Sequence, residues 1–328
     1  MLKNILGEAT VRAAVFSDYN LPLRRTFYPL GYPLHLETNS QDVVEAAAEG
    51  WGMFSQTFDE PPVRLCLNVT DSDTGLSGLR SEFRWHEHLM LVLADPENFM
   101  VCDFDQGLAF GSVTRVVAID HPLLRYRMLT CGGITLIAQR ALASVHAALI
   151  ARNGHGVMLC GESFAGKSTL SYAAARSGWT FVTDDAAGLV RRRTDRYAVG
   201  SPYSIRFRED AARFFPELRA YLPRVRPNGK VGLEIFTCEL PVQIATGCTV
   251  DYLVYLDRRA SGAARLRRCP KDKVLADFKS YTFYGAHQVR EDQYRCFERL
   301  LEAGLFEIEY SDLNDAVNRL ERLVDSGD

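Results

Sequence analysis

The chain has 328 residues, 47% apolar and 24% charged, which excludes a largely disordered chain and leaves room for two domains of ordinary size. The formal charge of −3 hides a segregation: residues 191–273 carry 18 Lys and Arg against 9 Asp and Glu, and each flank is −6. No apolar run approaches the ~18 residues of a membrane span. The opening residues hold no apolar core of a secretory signal, and the eight cysteines form no C-x-x-C pair. A cytoplasmic protein with reduced, structural thiols and no membrane partner is the expectation.

Residues 1–130 read as a mixed α+β domain, a substrate- or partner-binding module with no motif of its own. Residues 41–49 predict a helix, with Asn39 or Ser40 as N-cap and Gly50 just past its end. Residues 63–69 alternate as a half-buried strand, and 89–94 and 98–104 are two further strands. His86-Glu87-His88 is the one close histidine pair and reads as surface rather than metal site.

Residues 131–328 carry the sharper signals. Residues 144–151 fit either a strand or part of a helix. Asn153-Gly154 is a tight-turn dipeptide, and 156–160 is a buried strand, so a β-hairpin is preferred. A glycine-rich loop leads into a helix from Lys167, which Gly178 closes. A strand at 180–183 ends at Asp184-Asp185. Strands are expected at 189–192, 196–199, 204–208 and 250–256, then a helix at 290–303 and a strand at 305–310. A last helix opens at Ser311 or Asp312, with Leu313, Val317, Leu320 and Val324 on one apolar stripe.

The strongest motif is Gly161-Glu162-Ser163-Phe164-Ala165-Gly166-Lys167-Ser168-Thr169, a full match to G-x-x-x-x-G-K-[ST]. Glycines let the backbone curl so that its N–H groups form an anion nest, and the helix N-terminus adds partial positive charge. The candidate nucleotide-binding residues are Gly161, Ser163, Ala165, Gly166, Lys167, Ser168 and Thr169, with ATP and Mg²⁺ as the implied cofactors. Lys167 would reach the β- and γ-phosphates, and the Ser168 hydroxyl would ligate Mg²⁺. Asp184-Asp185 are adjacent carboxylates that repel each other unless a cation compensates them. One would bind metal, and the other would accept a proton from an attacking hydroxyl. His146, in the hairpin reading, stands near the phosphates or orients an Asp; a histidine among small apolar residues also fits a packed core. Arg206 and Arg208 share one strand face, either as phosphate ligands or as surface arginines. Arg258, Arg259, Arg265, Arg267 and Arg268 surround Ser261-Gly262, as a flexible basic loop over ATP or an acidic substrate. No aromatic interleaving accompanies the arginines, so nucleic acid is not the expected partner.

The runs Val145-His146-Ala147-Ala148-Leu149-Ile150, Gly156-Val157-Met158-Leu159-Cys160-Gly161-Glu162-Ser163, Gly166-Lys167-Ser168 and Gly178-Trp179-Thr180-Phe181-Val182-Thr183-Asp184-Asp185-Ala186 resemble the catalytic domain of HPr kinase/phosphorylase. That family is a bacterial serine kinase with a nucleotide-binding core like that of phosphoenolpyruvate carboxykinase. The resemblance is strongest over residues 143–190. It implies an α/β (α+β) fold with a P-loop core of this type over residues 131–328. It also implies an ATP-Mg²⁺-dependent kinase with His146, Lys167, Asp184 and Asp185 as catalytic residues and Ser168 with Asp184 on the metal. Which Asp is the base stays open. Two departures matter. Phe164 stands where the family usually has Gly, and the signature E-[LIVM]-R-G-x-G is not recognisable. Its nearest counterpart, Arg226-Pro227-Asn228-Gly229-Lys230-Val231-Gly232-Leu233-Glu234, reads as a mobile loop. Phosphorylase activity and HPr as substrate are therefore not carried over. The expected acceptor is a hydroxyl, serine of a peptide or protein. A small-metabolite kinase and a nucleotide-binding regulator without phosphotransfer are the alternatives. The family assembles into hexamers; homo-oligomerisation is left open.

Overall fold

Short runs of β-branched and aromatic residues, cut by Gly, Pro and Asp, form strands through much of the described chain, residues 19–75, 82–280 and 287–326 of the computed structural model. The chain divides into two units, Met1–Leu136 and Ile137–Asp328.

The first unit is built on β1 (Leu23–Phe27), β2 (Leu34–Thr38), α1 (Gln41–Trp51), β3 (Val63–Thr70), β4 (Glu82–His86), β5 (Leu89–Leu93), β6 (Phe99–Asp103) and β7 (Leu108–Thr114). Its seven strands lie in the order β1-β2-β3-β7-β6-β5-β4. The β2–β3 and β3–β7 pairs are parallel, and β4 to β7 form an antiparallel meander. The helix α1 runs through Gly50, past its expected end, because Trp51 is buried with Val43, Val44, Ala46 and Ala47. Burying an indole outweighs the ~1 kcal/mol that a helical glycine costs. Ser40 precedes the helix, but its hydroxyl bonds the Asp42 carboxylate at 3.2 Å rather than a backbone N–H. A helical run follows β7: α2 (Arg115–Ile119), α3 (His121–Leu124), a π-helical stretch (Arg125–Ile134) and α4 (Thr135–Ala141).

The second unit contains β8 (Leu142–Val145), β9 (Ala148–Arg152), β10 (His155–Cys160), α5 (Lys167–Arg176), β11 (Thr180–Thr183), β12 (Ala187–Val190), β13 (Tyr197–Gly200), β14 (Ser204–Phe207), β15 (Arg224–Val225), β16 (Val231–Phe236), β17 (Gln243–Ile244), β18 (Gly247–Arg258), β19 (Arg265–Arg268), α6 (Lys271–Ser280), α7 (His287–Leu300), β20 (Gly304–Tyr310) and α8 (Leu313–Ser326). Ten strands form one sheet, β17-β11-β9-β10-β18-β13-β12-β8, with β20 and β19 continuing from β18. Asn153 and Gly154 take φ of 51° and 85°, and Arg152 pairs with His155. This is the two-residue hairpin the dipeptide predicts. The centre of the sheet is parallel, since β18 pairs with both β10 and β20 in that sense.

Both faces of this sheet are covered, and strand alternation sorts the side chains. Ile150, Val157, Leu159, Val254 and Ile308 join Leu170 and Tyr172 of α5 and Val317 and Leu320 of α8 in one core. Leu149, Met158, Cys160 and Leu253 join Val274 and Phe278 of α6 and Phe297 and Leu300 of α7 in the other. Val317, Leu320 and Val324 of the predicted α8 stripe are buried, and Leu313 packs half-buried beside them.

Two loop expectations need correction. Arg265–Arg268 is strand β19, paired antiparallel with β20 so that Arg265 faces Glu309 and Arg267 faces Glu307. The segment 226–234 is a hairpin turn and a strand: Arg226 N–H donates to Lys230 O at 3.0 Å, and β16 begins at Val231. Among the described residues no helix is long and apolar enough to cross a membrane.

Candidate active site

The glycine-rich loop leaves the C-terminal end of β10 and enters α5, with φ of 146° at Gly161, 80° at Phe164 and 98° at Gly166. A Cβ at Gly166 would overlap the Tyr310 hydroxyl, which donates to Ala165 O at 2.9 Å and pins the loop to β20. Ser163 and Phe164 are exposed at the crown, while Lys167, Ser168 and Thr169 form the first turn of α5. Lys167 is 8% exposed and folds back, its Nζ donating to Gly161 O at 2.7 Å and Glu162 O at 3.2 Å. Burial lowers its pKa, opposed by Cys160, Asp185 and Asp277, which favour the charged form. Asp277 of α6 accepts from the Tyr255 hydroxyl at 2.8 Å.

The acid pair follows β11. Asp184 is buried, accepts from the backbone N–H of Arg206 at 3.0 Å and from the Ser168 hydroxyl. Burial pushes its carboxyl up to about 6, against the pull of Arg206 and Ser168. Asp185 has the opposite setting. Its side chain is 53% exposed, with His146 Nδ1 at 3.2 Å from Oδ1 and the Arg206 guanidinium at 3.7 Å from Oδ2. The His146 hydrogen bond, then the charges of His146, Arg206 and Lys167, overcome burial and hold its carboxyl below the usual range. His146 lies in the link between β8 and β9, and its Nδ1 donates to Asp185 O at 2.8 Å. A carbonyl only accepts, so Nδ1 carries hydrogen and Nε2 is the acceptor of the neutral ring.

Arg206 is the hub of this corner. It is paired across the β14–β16 ladder with Glu234, and its Nε reaches Glu234 Oε1 at 3.1 Å. Glu234 also accepts from Ser204 Oγ at 3.1 Å and Tyr203 Oη at 3.3 Å. Arg226 lies on the turn into β16. Burial and the neighbouring Arg206 lower its pKa, and Glu234, Asp184 and Asp185 attract it. Its Nε is buried with no hydrogen-bond partner. Two acids of opposite setting and an amine therefore converge beside the loop, with Arg226 in electrostatic reach of the acids.

Sequence reasoning singles out His146, Lys167, Ser168, Asp184 and Asp185, and these meet. It weighs Arg206 against a bland surface role and sets Glu234 in a mobile loop; both belong to the corner. The alternation Ser204-Ile205-Arg206 is the available signal for Arg206. Glu234 has none, because its position depends on a non-local strand register. Arg259 and Arg267, expected in a flexible basic loop over ATP or an acidic substrate, are held by Asp257 and Glu309. Arg258 packs its guanidinium on the Phe214 ring at 4.8 Å.

Among the described residues no group of three or more His, Cys, Asp or Glu side chains forms a preassembled metal site. Mg²⁺ does not need one, since it keeps several waters and takes one or two carboxylates together with substrate phosphates. Asp184 beside the Ser168 hydroxyl fits that donor set, and a buried carboxylate whose ionised form is penalised suits an incoming cation.

No family model matches the chain, and no curated protein matches it. A solved structure described as the Hpr(Ser) kinase/phosphatase from Coxiella burnetii aligns with 56% of this chain and 99% of its own, at 15% identity and a TM-score of 0.28. The likeness is one of structure.

Proposed function

We propose that the second unit is an ATP-Mg²⁺-dependent phosphotransferase that passes the γ-phosphoryl group to a hydroxyl, serine of a peptide or protein. The observation that carries this reading is the split environment of the acid pair. Asp184 is buried against Ser168, the second residue of the helix behind the glycine loop, while Asp185 is held ionised and open to solvent by His146 and Arg206.

In this reading the loop N–H groups and the α5 N-terminus take the phosphates. Lys167 leaves Gly161 O and Glu162 O and neutralises charge on the β- and γ-oxygens. Ser168 and Asp184 would hold Mg²⁺, which supplies charge neutralisation on the phosphate oxygens when bound. Asp185 accepts the proton as the acceptor oxygen bonds to the γ-phosphorus; the bond to the β–γ bridging oxygen breaks and ADP leaves. His146 and Arg206 fix the Asp185 carboxylate for that transfer. The exposure of Asp185 suits a hydroxyl presented on a protruding peptide better than one enclosed with a small metabolite.

The test is transfer of labelled γ-phosphate to peptide pools by the full chain, with Lys167→Ala and Asp185→Asn alongside. Wild type should yield phosphoserine, and Asp185→Asn should bind ATP without transfer. Tight ATP binding by wild type with no phosphate leaving, on any peptide or metabolite pool, refutes the reading. It would favour a nucleotide-binding regulator, the alternative that Phe164 in the loop supports.

A further inference from the structure

Phe164 breaks two rules at once. It is a bulky residue in the left-handed region, at φ 80°, and it is 70% exposed. Glycine would avoid both penalties at this position. The ring has a specific partner: the guanidinium of Arg208 lies over it, 3.5 Å from the centroid. Arg208 follows β14 in extended conformation, φ −82° and ψ 165°. It stands two residues after Arg206 and so on the same side of the strand. Arg206 is the residue that touches both members of the acid pair. The stacked pair thus bridges the crown of the loop and the acid corner.

The chemistry of the contact is informative. A guanidinium held over an aromatic face is attracted by the ring without using its N–H donors, which stay available to another acceptor. Arg208 has no carboxylate partner among the described residues, whereas Arg206 is engaged by Glu234. A guanidinium stacked at the crown of the glycine loop, with no carboxylate partner among the described residues, matches a phosphate oxygen by charge and geometry.

We infer that Phe164 is a platform that holds Arg208 against the terminal phosphate of the bound nucleotide, so that Arg208 sets the preference for a nucleoside triphosphate over a diphosphate. This rests on the proposed reading of the loop as a phosphate cradle. The aromatic ring replaces loop flexibility with a fixed cation.

The experiment is calorimetric titration of ATP and ADP into the full chain, for wild type, Arg208→Ala, Phe164→Leu and Phe164→Tyr, with transfer activity measured in parallel. Arg208→Ala should weaken ATP about ten-fold and leave ADP within about two-fold, since an added charge-assisted contact to the terminal phosphate is worth that much. Phe164→Leu should move the ratio the same way, and Phe164→Tyr should retain it. Both side chains are exposed, so the variants should melt like wild type. If wild type binds and transfers while Arg208→Ala leaves the ATP-to-ADP ratio unchanged, the inference alone is overturned. It also falls if Arg208→Ala raises only the acceptor KM. If wild type binds neither nucleotide, the cradle reading falls with it.

Discussion

In metal-free buffer, Asp184→Asn should stabilise the second unit near neutral pH and do nothing in acid. Burial lifts the Asp184 carboxyl from 3.8 to about 6. At about 1.4 kcal/mol per unit, keeping that group ionised costs on the order of 3 kcal/mol of folding stability. The sign follows from proton linkage. With a raised native pKa the folded state binds the proton more tightly than the unfolded state. The penalty is absent below about pH 4, accumulates as pH rises through about 6, and is constant above. Asn removes the charge and keeps an oxygen for the Arg206 N–H and an amide for the Ser168 hydroxyl. For a unit of this size each kcal/mol moves Tm by roughly 2–4 °C, so the variant should melt higher by up to about 10 °C near pH 8. The assay is thermal melting of both proteins in EDTA across a pH series from about 4 to about 8, followed by the same scan with ATP and Mg²⁺. The order should reverse with ligand, because only the carboxylate gains a cation. A variant less stable at pH 8 in EDTA, or a gap that does not change with pH, would refute the reasoning.

Two glycines separate conformational cost from site geometry. Gly178→Ala meets a φ of 91° but open space, so it should cost about 1 kcal/mol in urea melts and leave nucleotide binding unchanged. Gly166→Ala meets φ 98° and the Tyr310 hydroxyl, so its similar backbone cost should come with at least ten-fold weaker ATP binding by titration. Glu234→Gln should leave Arg206 with only the acid pair to compensate it. The expected loss is about 1–2 kcal/mol by denaturant melting, scaled below the fully buried case because Arg206 is a third exposed.

What is legible in the sequence is what is local. Asn153-Gly154 demands positive φ at two successive residues, which few dipeptides tolerate, so the two residues by themselves specify the β9–β10 hairpin. The glycine spacing before Lys167 is equally self-contained. The α1 boundary escapes a local reading because a distant contact settles it: Gly50 reads as a stop, yet burial of Trp51 carries the helix past it. Arg265–Arg268 reads as a basic loop by composition, but the β20 edge offers Glu307 and Glu309 in register, and that pairing makes it a strand. Arg206 and Glu234 belong to the same class. Each is ordinary in its own segment, and only the β14–β16 register puts carboxylate against guanidinium beside the acid pair.

The charge segregation along the chain changes meaning once the strands are paired. A basic stretch flanked by acidic ones suggests a long-range field for phosphate. In the fold, Arg196 meets Asp251 and Glu302, Arg213 meets Asp210, Arg259 meets Asp257 and Glu309, and Lys273 meets Glu307. Three of these acids, Glu302, Glu307 and Glu309, come from the acidic tail and offset three of the nine excess charges at contact distance; the other pairs lie within the basic stretch itself. Beyond a Debye length of about 8 Å such pairs leave little field. The attraction that matters must then be local. Arg206 is paired with Glu234, and in the proposed reading it orients the acid pair. Lys167 and Arg208 on its aromatic platform lie at the loop, and Arg226, with its unpartnered Nε, lies within electrostatic reach of the acid pair. Nucleotide affinity should therefore depend on these three side chains and be insensitive to charge removal at Arg213 or Arg267, a division that single-residue titrations can check directly.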